Sequence, residues 1–228
     1  DIIITKSNLK SANRPAAFFD FDETLLTIDS AGIGFKVLRD QGYLTKSFML
    51  KMLVVMLLKK AGLIDEQIMA KAFLSFYRGR DLQPFIDHAD EFYSEYLQPN
   101  LSPMVVKKLK EHQSLGHKTV LVTGSIDYYL KPVIDDLGID HLLSTRLEVG
   151  SNGLLTGRSL GPVCVGKTKV DFINKLTLDQ GLDLSQSYAY GNSELDIPML
   201  ELVGHPVVVT PNSKLTRHAS RVNWPQIS

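Results

Sequence analysis

The sequence predicts an α/β fold, a three-layer parallel sheet core with an inserted all-helical cap, on three observations. Short apolar runs at 16–21, 118–122, 187–190 and 206–209 read as buried strands. Helical patterns separate most of them, the order that yields a parallel sheet covered on both faces. Between about residues 29 and 101 the pattern is helical, with no convincing strand. Acids, hydroxyls and glycines gather just after three of the runs, and ligands of open parallel sheets bind beyond the carboxyl ends of the strands.

In chain order, Ala16-Ala-Phe-Phe-Asp-Phe21 follows Pro15 and reads as a buried strand ending in acids. Helices are expected over 33–38, 46–60, 64–76 and 82–96, with breaks near Gly42, Gly62, Gly79 and Pro99. The chain therefore divides into a core of residues 1–30 and 102–228 and a helical cap of residues 31–101. Gly32, Gly34 and Gly79 are candidate hinges between the two. Past Pro103 come a helix over 105–115, a strand over 118–122 and a helix over 126–137 that stops at Gly138. Segments 142–149 and 154–156 flank Ser151-Asn-Gly153 and predict a hairpin. A helix over 168–176, a strand over 187–190, a helix over 197–202 and a strand over 206–209 complete the core. Trp224 is expected to pack the last segment onto the sheet.

Composition bounds the function. The 228 residues are 44% apolar and 22% charged, which is ordinary for a globular chain. A formal net charge of zero gives no general drive toward nucleic acid or an anionic membrane, so anion binding must come from a local site. The single cysteine, Cys164, excludes an internal disulfide and a thiolate zinc site. Nothing points to an oxidising compartment, and a cytoplasmic location is expected. The six histidines show no paired zinc spacing, so a metal would be held by oxygen.

The most apolar stretch, 48–58, is interrupted by Lys51 and closed by Lys59-Lys60. It falls short of the roughly 20 residues a membrane span needs, and a buried or lid helix without stable membrane insertion is expected. Interfacial membrane contact or a partner surface is the alternative. The chain opens on Asp1 rather than Met, so a removed targeting segment stays open as a reading.

At the first strand end, Phe19-Asp-Phe-Asp-Glu-Thr24 sets Asp20 and Asp22 two residues apart, on one side of an extended chain. Two such carboxylates repel and need a proton or a cation to coexist, which suggests a divalent metal with oxygen ligands. Val122-Thr-Gly-Ser125 offers a hydroxyl and free backbone N–H groups for an anion. Gly191-Asn-Ser-Glu-Leu-Asp196 adds further oxygens, although an Asp such as Asp196 before Ile197-Pro198 is by itself more often a helix N-cap.

One further stretch, GPVCVGKT at 161–168, fits the phosphate-cradling P-loop pattern. That motif needs a buried strand before its first glycine, and 154–160 carries two hydroxyls, a glycine and an arginine. It also needs an acid at the end of another apolar strand, and the strand at 206–209 runs into Thr210. A nucleotide cradle is therefore set aside.

Taken jointly and in this order, the pieces resemble the haloacid dehalogenase superfamily of phosphohydrolases. Asp20-Phe-Asp-Glu-Thr24 is similar to its D-x-D-x-T motif, Leu121-Val-Thr123 to its second, and Gly191 through Asp196 to its G-D-x-x-x-D motif. Lys-Thr-Lys at 167–169 resembles the lysine motif of the phosphoserine phosphatase branch, where a helical cap also follows the first motif.

The resemblance implies a Rossmann-like core and a Mg2+-dependent phosphomonoesterase working through an aspartyl-phosphate. Asp20 would be the nucleophile and Asp22 the general acid and base. Thr123, Gly124 and Lys167 would bind phosphate, with Lys169 the runner-up. Asp20, Asp22, Asn192 and Asp196 would hold the metal. Asn192 departs from the family's aspartate and implies weaker metal binding, and a phosphate-binding or regulatory protein with little turnover is kept as a second reading.

The implied partner is a small phosphomonoester, phosphoserine first, with Asp29 matching the residue that binds the substrate ammonium and Arg78 a candidate for its carboxylate. Arg80 is the other candidate for that contact. Histidinol phosphate, phosphocholine and lipid-like phosphomonoesters are the alternatives. The sequence carries no reading of oligomeric state.

Overall fold

A computed structural model describes residues 14–228. The part of the expected core that precedes Arg14 lies outside the described residues. The first strand, β1 (Ala16–Phe19), is followed by a tight turn over Phe21–Leu25 and then by the helices α1 (Ser30–Asp40), α2 (Lys46–Lys60), α3 (Glu66–Leu74), α4 (Gln83–Asp87) and α5 (Ala89–Phe92). The chain continues through α6 (Pro103–Ser114), β2 (Lys118–Ile126), α7 (Lys131–Leu137), β3 (His141–Thr145), β4 (Leu147–Val149) and β5 (Leu155–Ser159). It closes with α8 (Lys167–Gln180), β6 (Tyr188–Gly191), α9 (Ile197–Leu200), β7 (His205–Val209), α10 (Ser213–Val222) and β8 (Gln226–Ile227).

Six strands form one sheet in the order β3-β2-β1-β6-β7-β8, and every pairing is parallel. Alternation along the strands feeds two cores. Ala17, Phe19 and Leu121 point to the side of α6 and α7, where Val105, Leu109 and Val133 pack. Ala16, Phe18, Val120 and Val122 point to the opposite side, against Ile173 of α8, Met199 of α9 and Leu215 of α10. Both faces of β1 and β2 are thus buried, which is why those strands read as nearly unbroken apolar runs.

The helices α1–α5 contribute no strand to the sheet, and they leave and re-enter the core side by side. Leu26 bridges Leu101, Thr27 N–H donates to Asn100 O at 2.9 Å, and Ser102 N–H donates to Leu25 O at 2.9 Å. Leu74, Tyr77, Tyr93 and Leu97 join the same apolar cluster as the α6 and α7 face, so the helical segment is packed onto the sheet domain. Tyr77 and Tyr128 share a hydroxyl hydrogen bond of 3.0 Å across that boundary, and Tyr93 donates to Asp136.

Several expectations are corrected. The helix expected over 82–96 is broken at His88 and ends in a wider turn over Tyr93–Leu97. Residues 142–149 are not one hairpin arm: His141–Thr145 is the edge strand of the parallel sheet, and only Leu147–Val149 pairs antiparallel with β5. The helix expected from 126 begins at Lys131, because β2 runs on to Ile126. The stretch at 48–58 is helical, as expected, but it is not buried, since of α2 only Met52 is buried. Trp224 packs against the core on the α8 side, its ring 4.9 Å from that of His218.

Candidate active site

The site lies beyond the carboxyl ends of β1, β2 and β6, under the helical segment. Asp20 follows β1 directly, with its N–H donating to Tyr190 O at 2.9 Å, and the residue is 7% exposed. One oxygen accepts Lys169 Nζ at 2.6 Å and the other accepts the Thr24 hydroxyl at 3.1 Å. The turn that carries Thr24 back toward Asp20 requires a left-handed backbone at Glu23 (φ 56°). Burial pushes the Asp20 carboxyl up, and the nearby Asp196 carboxylate pushes the same way, while Lys169 pulls it down.

Asp22 shares the pocket without duplicating Asp20. Its oxygens accept the Ser30 N–H at 2.6 Å and the Ser125 hydroxyl at 2.8 Å, so the side chain is held toward the first turn of α1. Ser30 and Ser125 also contact each other at 3.2 Å, and Ser30 contacts the Tyr129 hydroxyl at 3.2 Å. Burial raises the Asp22 pKa against the pull of these hydrogen bonds.

Thr123 is buried, and its hydroxyl accepts the Ser125 N–H at 3.0 Å. Beside it, a Cβ on Gly124 would lie 2.6 Å from Val165 Cγ1, so only glycine lets the segment before α8 approach β2 this closely.

The lysine of the site is Lys169, not Lys167. Lys167 is the first residue of α8 and is exposed, whereas Lys169 is 4% exposed and bridges Asp20 and Asp196, at 2.6 and 2.7 Å. Two helical residues are about 200° apart around the axis, so a helix that aims one inward must aim the other out. Paired with two carboxylates, Lys169 keeps its proton despite complete burial.

Asp196 is likewise reassigned. One oxygen accepts Lys169, and the other accepts Asn192 N–H at 3.3 Å, Ser193 N–H at 3.2 Å and the Ser193 hydroxyl at 3.1 Å. Held in this way, Asp196 positions the lysine and the 191–196 loop.

Asn192 is buried and directed at the first motif. Its side-chain oxygen accepts the Thr24 hydroxyl at 3.3 Å and its amide donates to Glu23 at 3.1 Å. Among the described residues, no three His, Cys, Asp or Glu side chains form a metal-holding group. Asp20, Asp22 and Asn192 all line one cavity and offer carboxylate and amide oxygens to it. Such a sparse, all-oxygen set fits Mg2+, which keeps several waters and needs only one or two carboxylates.

A cavity of about 1090 Å³ opens from these residues beneath the helical segment. Its walls are mostly apolar and aromatic, including Phe35, Met52, Phe73, Phe85 and Phe92. Asp29, Glu66, Glu91 and Glu95 also line it, and Lys169 is its only lysine or arginine among the described residues. Asp29 both reaches the cavity and caps α1, accepting the Ala31 and Gly32 N–H groups at 3.1 and 3.2 Å.

Arg78 is brought elsewhere. It is exposed, and its Cβ lies 2.8 Å from where a Cβ on Gly157 would stand, because the 78–80 loop is bonded to β5 through Gly79 N–H to Leu155 O and Leu155 N–H to Arg80 O, both 2.8 Å. Arg80 stacks on Phe76, 4.2 Å from the ring centre, and donates to Phe76 O at 2.9 Å.

Sequence reasoning missed Ser30, Tyr129 and Glu23. Ser30 reaches Asp22 across 8 positions, Tyr129 reaches Ser30 across 99 and Glu23 reaches Asn192 across 169, and no local pattern announces them. The GPVCVGKT stretch does reach the site, through the residue just after it. Its predecessor β5 belongs to a two-stranded antiparallel ribbon outside the parallel sheet, so a P-loop is absent for the reason the sequence suggested.

A parallel sheet with carboxylates and a buried lysine at its carboxyl ends, covered by a helical segment, defines a Rossmann-like α/β protein whose polar site lies at the strand ends. The chain belongs to the haloacid dehalogenase-like hydrolases, whose family model matches residues 17–201. Within them it is a phosphatase of the phosphoserine phosphatase-like branch. It is similar to the inhibition of morphological differentiation protein of Streptomyces azureus, 32% identical over 94% of this chain and 78% of the relative. It is also similar to a histidinol-phosphatase of Neisseria meningitidis, 32% identical over 60% of this chain and 64% of that protein.

Among solved structures, a Bordetella pertussis protein of unknown function superposes with a TM-score of 0.86 at 26% identity, covering 95% of this chain and 99% of that one. A substrate-bound phosphoserine phosphatase superposes at 0.67 with 20% identity, covering 95% and 93%, and shares the fold.

Proposed function

We propose that the protein is a Mg2+-dependent phosphomonoesterase that uses Asp20 as nucleophile, on a small amine-bearing phosphomonoester. The observation that carries the reading is the convergence of Asp20 and Asp22 after β1, Thr123 in β2 and Lys169 in α8, elements that the sequence separates widely. The Asp20 carboxylate attacks phosphorus, and the bond from phosphorus to the alcohol oxygen breaks. Asp22 protonates that oxygen, a role suited to a carboxyl whose pKa burial has raised. In the second step Asp22 takes a proton from water as the water attacks phosphorus, which frees phosphate and restores Asp20.

Lys169, Thr123 and the Gly124 backbone bind the phosphoryl oxygens. Mg2+, when bound by Asp20, the Asp22 carbonyl and Asn192, supplies positive charge between the nucleophile and the phosphate. The helical segment, residues 31–101, acts as a cap that keeps bulk water from the intermediate.

For the substrate, the cavity favours an amine over a carboxylate. Glu91 and Glu95 suit an ammonium, Asp29 and Glu66 being held by the α1 cap and by Lys59, and the single lysine is committed to Asp20 and Asp196. Phosphoserine would bring a carboxylate with no cationic partner, a costly group to bury unpaired. An amino-alcohol phosphate such as histidinol phosphate therefore ranks ahead of it, and the aromatic walls suit an imidazole ring.

The test is phosphate release from p-nitrophenyl phosphate, histidinol phosphate and phosphoserine, with Mg2+ or EDTA. Wild type is expected to turn over with Mg2+ alone and to prefer histidinol phosphate. Asp20→Asn and Lys169→Met should lose at least about 100-fold in rate, as removal of a transition-state contact does, while Lys167→Met stays near wild type. Wild type at the EDTA baseline on all three would leave a phosphate-binding protein with little turnover as the reading. Preference for phosphoserine would overturn the amine assignment alone.

A further inference from the structure

The helix α2 carries a surface that catalysis does not use. Leu50, Leu53, Val54 and Leu57, spaced i, i+3, i+4 and i+7, are 63%, 53%, 47% and 58% exposed. Scattered exposed leucines need no explanation, but a contiguous stripe on one helix does. Lys46 and Lys60 lie at the two ends of that stripe: at 100° per residue, Lys46, Leu50, Leu53, Leu57 and Lys60 fall within an arc of about 80°. Neither lysine forms an ion pair among the described residues, whereas Lys51 donates to Ser75 and Lys59 pairs with Glu66.

Between Gln41 and Ile64 there are four lysines and no acid, in a chain of net charge zero, so the positive charge is local to this face. The opposite side of α2 turns inward at Met52, and both Met52 and Met56 line the cavity.

We propose that α2 docks the protein peripherally on an anionic lipid bilayer, with its axis in the membrane plane. The leucine stripe would enter the boundary between headgroups and acyl chains. Lys46 and Lys60 would extend along it to the lipid phosphates, since lysine stems lie on apolar surface while the ammonium stays polar. No helix of the described residues is long and apolar enough to cross a membrane, which fits a helix that lies on one. A second copy of the chain suits the face less well. A two-fold pairing of α2 with itself brings lysines against lysines or leaves them unpaired, with no acid on the helix to answer them. The inference is independent of the phosphatase reading.

The test is co-sedimentation of the full chain with vesicles of phosphatidylcholine alone or mixed with phosphatidylglycerol. Sedimentation equilibrium without lipid reads the oligomeric state, and circular dichroism melts confirm that variants fold. Wild type is expected to pellet with the anionic vesicles and to release as salt is raised. Leu53→Glu/Leu57→Glu and Lys46→Glu/Lys60→Glu should each bind at least tenfold more weakly at unchanged melting temperature. Failure to pellet, or equal binding to neutral vesicles, overturns the proposal. So does a dimer that Leu53→Glu/Leu57→Glu dissociates while vesicle binding is absent, which would assign the face to a second copy.

Discussion

Asn192 stands where the family motif carries an aspartate, and its contacts show what the amide does. Its oxygen and nitrogen differ in role, one accepting from Thr24 and the other donating to Glu23, so it joins two parts of the first motif that a carboxylate could not join in the same way. Asn192→Asp should therefore act in two directions. The added charge should lower the Mg2+ concentration for half-maximal activity several-fold. In EDTA the same variant should melt lower, by the equivalent of roughly 1 kcal/mol, because a donor facing the Glu23 carboxylate becomes an acceptor. A Mg2+ titration of activity and a melt in EDTA check the two parts separately, and an unchanged or higher half-maximal concentration refutes the first. The lysine was the other residue left open in the sequence. Lys167 and Lys169 are chemically identical and two positions apart, and only the facing of α8 separates them.

At the scale of elements, the loop from β6 into α9 is the device that aims the lysine. Asp196 closes back on Asn192 and Ser193 and presents its other oxygen to Lys169. That closure needs Gly191, where a Cβ would stand 2.6 Å from the Asp196 Cβ and 2.9 Å from its Cγ. Gly191→Ala should cost roughly 1–3 kcal/mol, the usual range for forcing atoms into a packed site. It should also lower turnover by displacing Asp196 from the lysine. Chemical denaturation and the p-nitrophenyl phosphate assay read both effects, and normal activity in the variant would show that the loop does not position Lys169. Most core elements were legible, because strands buried on both faces leave unbroken apolar runs. The edge strand β3 was read as a hairpin arm, since a half-buried run beside a real turn carries the signature of either partner.

Across the whole molecule, the layer of α6 is fastened to the sheet by a buried histidine. His112 contacts the Tyr190 hydroxyl at 2.9 Å and His117 at 2.9 Å, and packs against Phe19 and Tyr188. Burial, with His117 adding to it, lowers its pKa to about 4 from an ordinary 6.5. A folded-state value below the unfolded one means that the unfolded chain binds the proton more readily. The stabilisation is complete above about pH 6.5, erodes as the pH falls below it, and is gone near pH 4. The melting temperature should fall across that window, and the fall should be smaller in His112→Gln. An equal fall in both would assign the acid sensitivity elsewhere.

The sequence by itself determined the four strands β1, β2, β6 and β7, the helical character of the chain between the first two, and the strand ends where the polar residues gather, because periodicity and turn residues are local and survive in the linear order. Only the tertiary structure decided which lysine enters, that Asp196 bonds to it, that Arg78 is held against β5, and that α2 is left bare. Each of these depends on how an element is rotated against a neighbour distant in sequence, and that rotation is set by packing that no local pattern records.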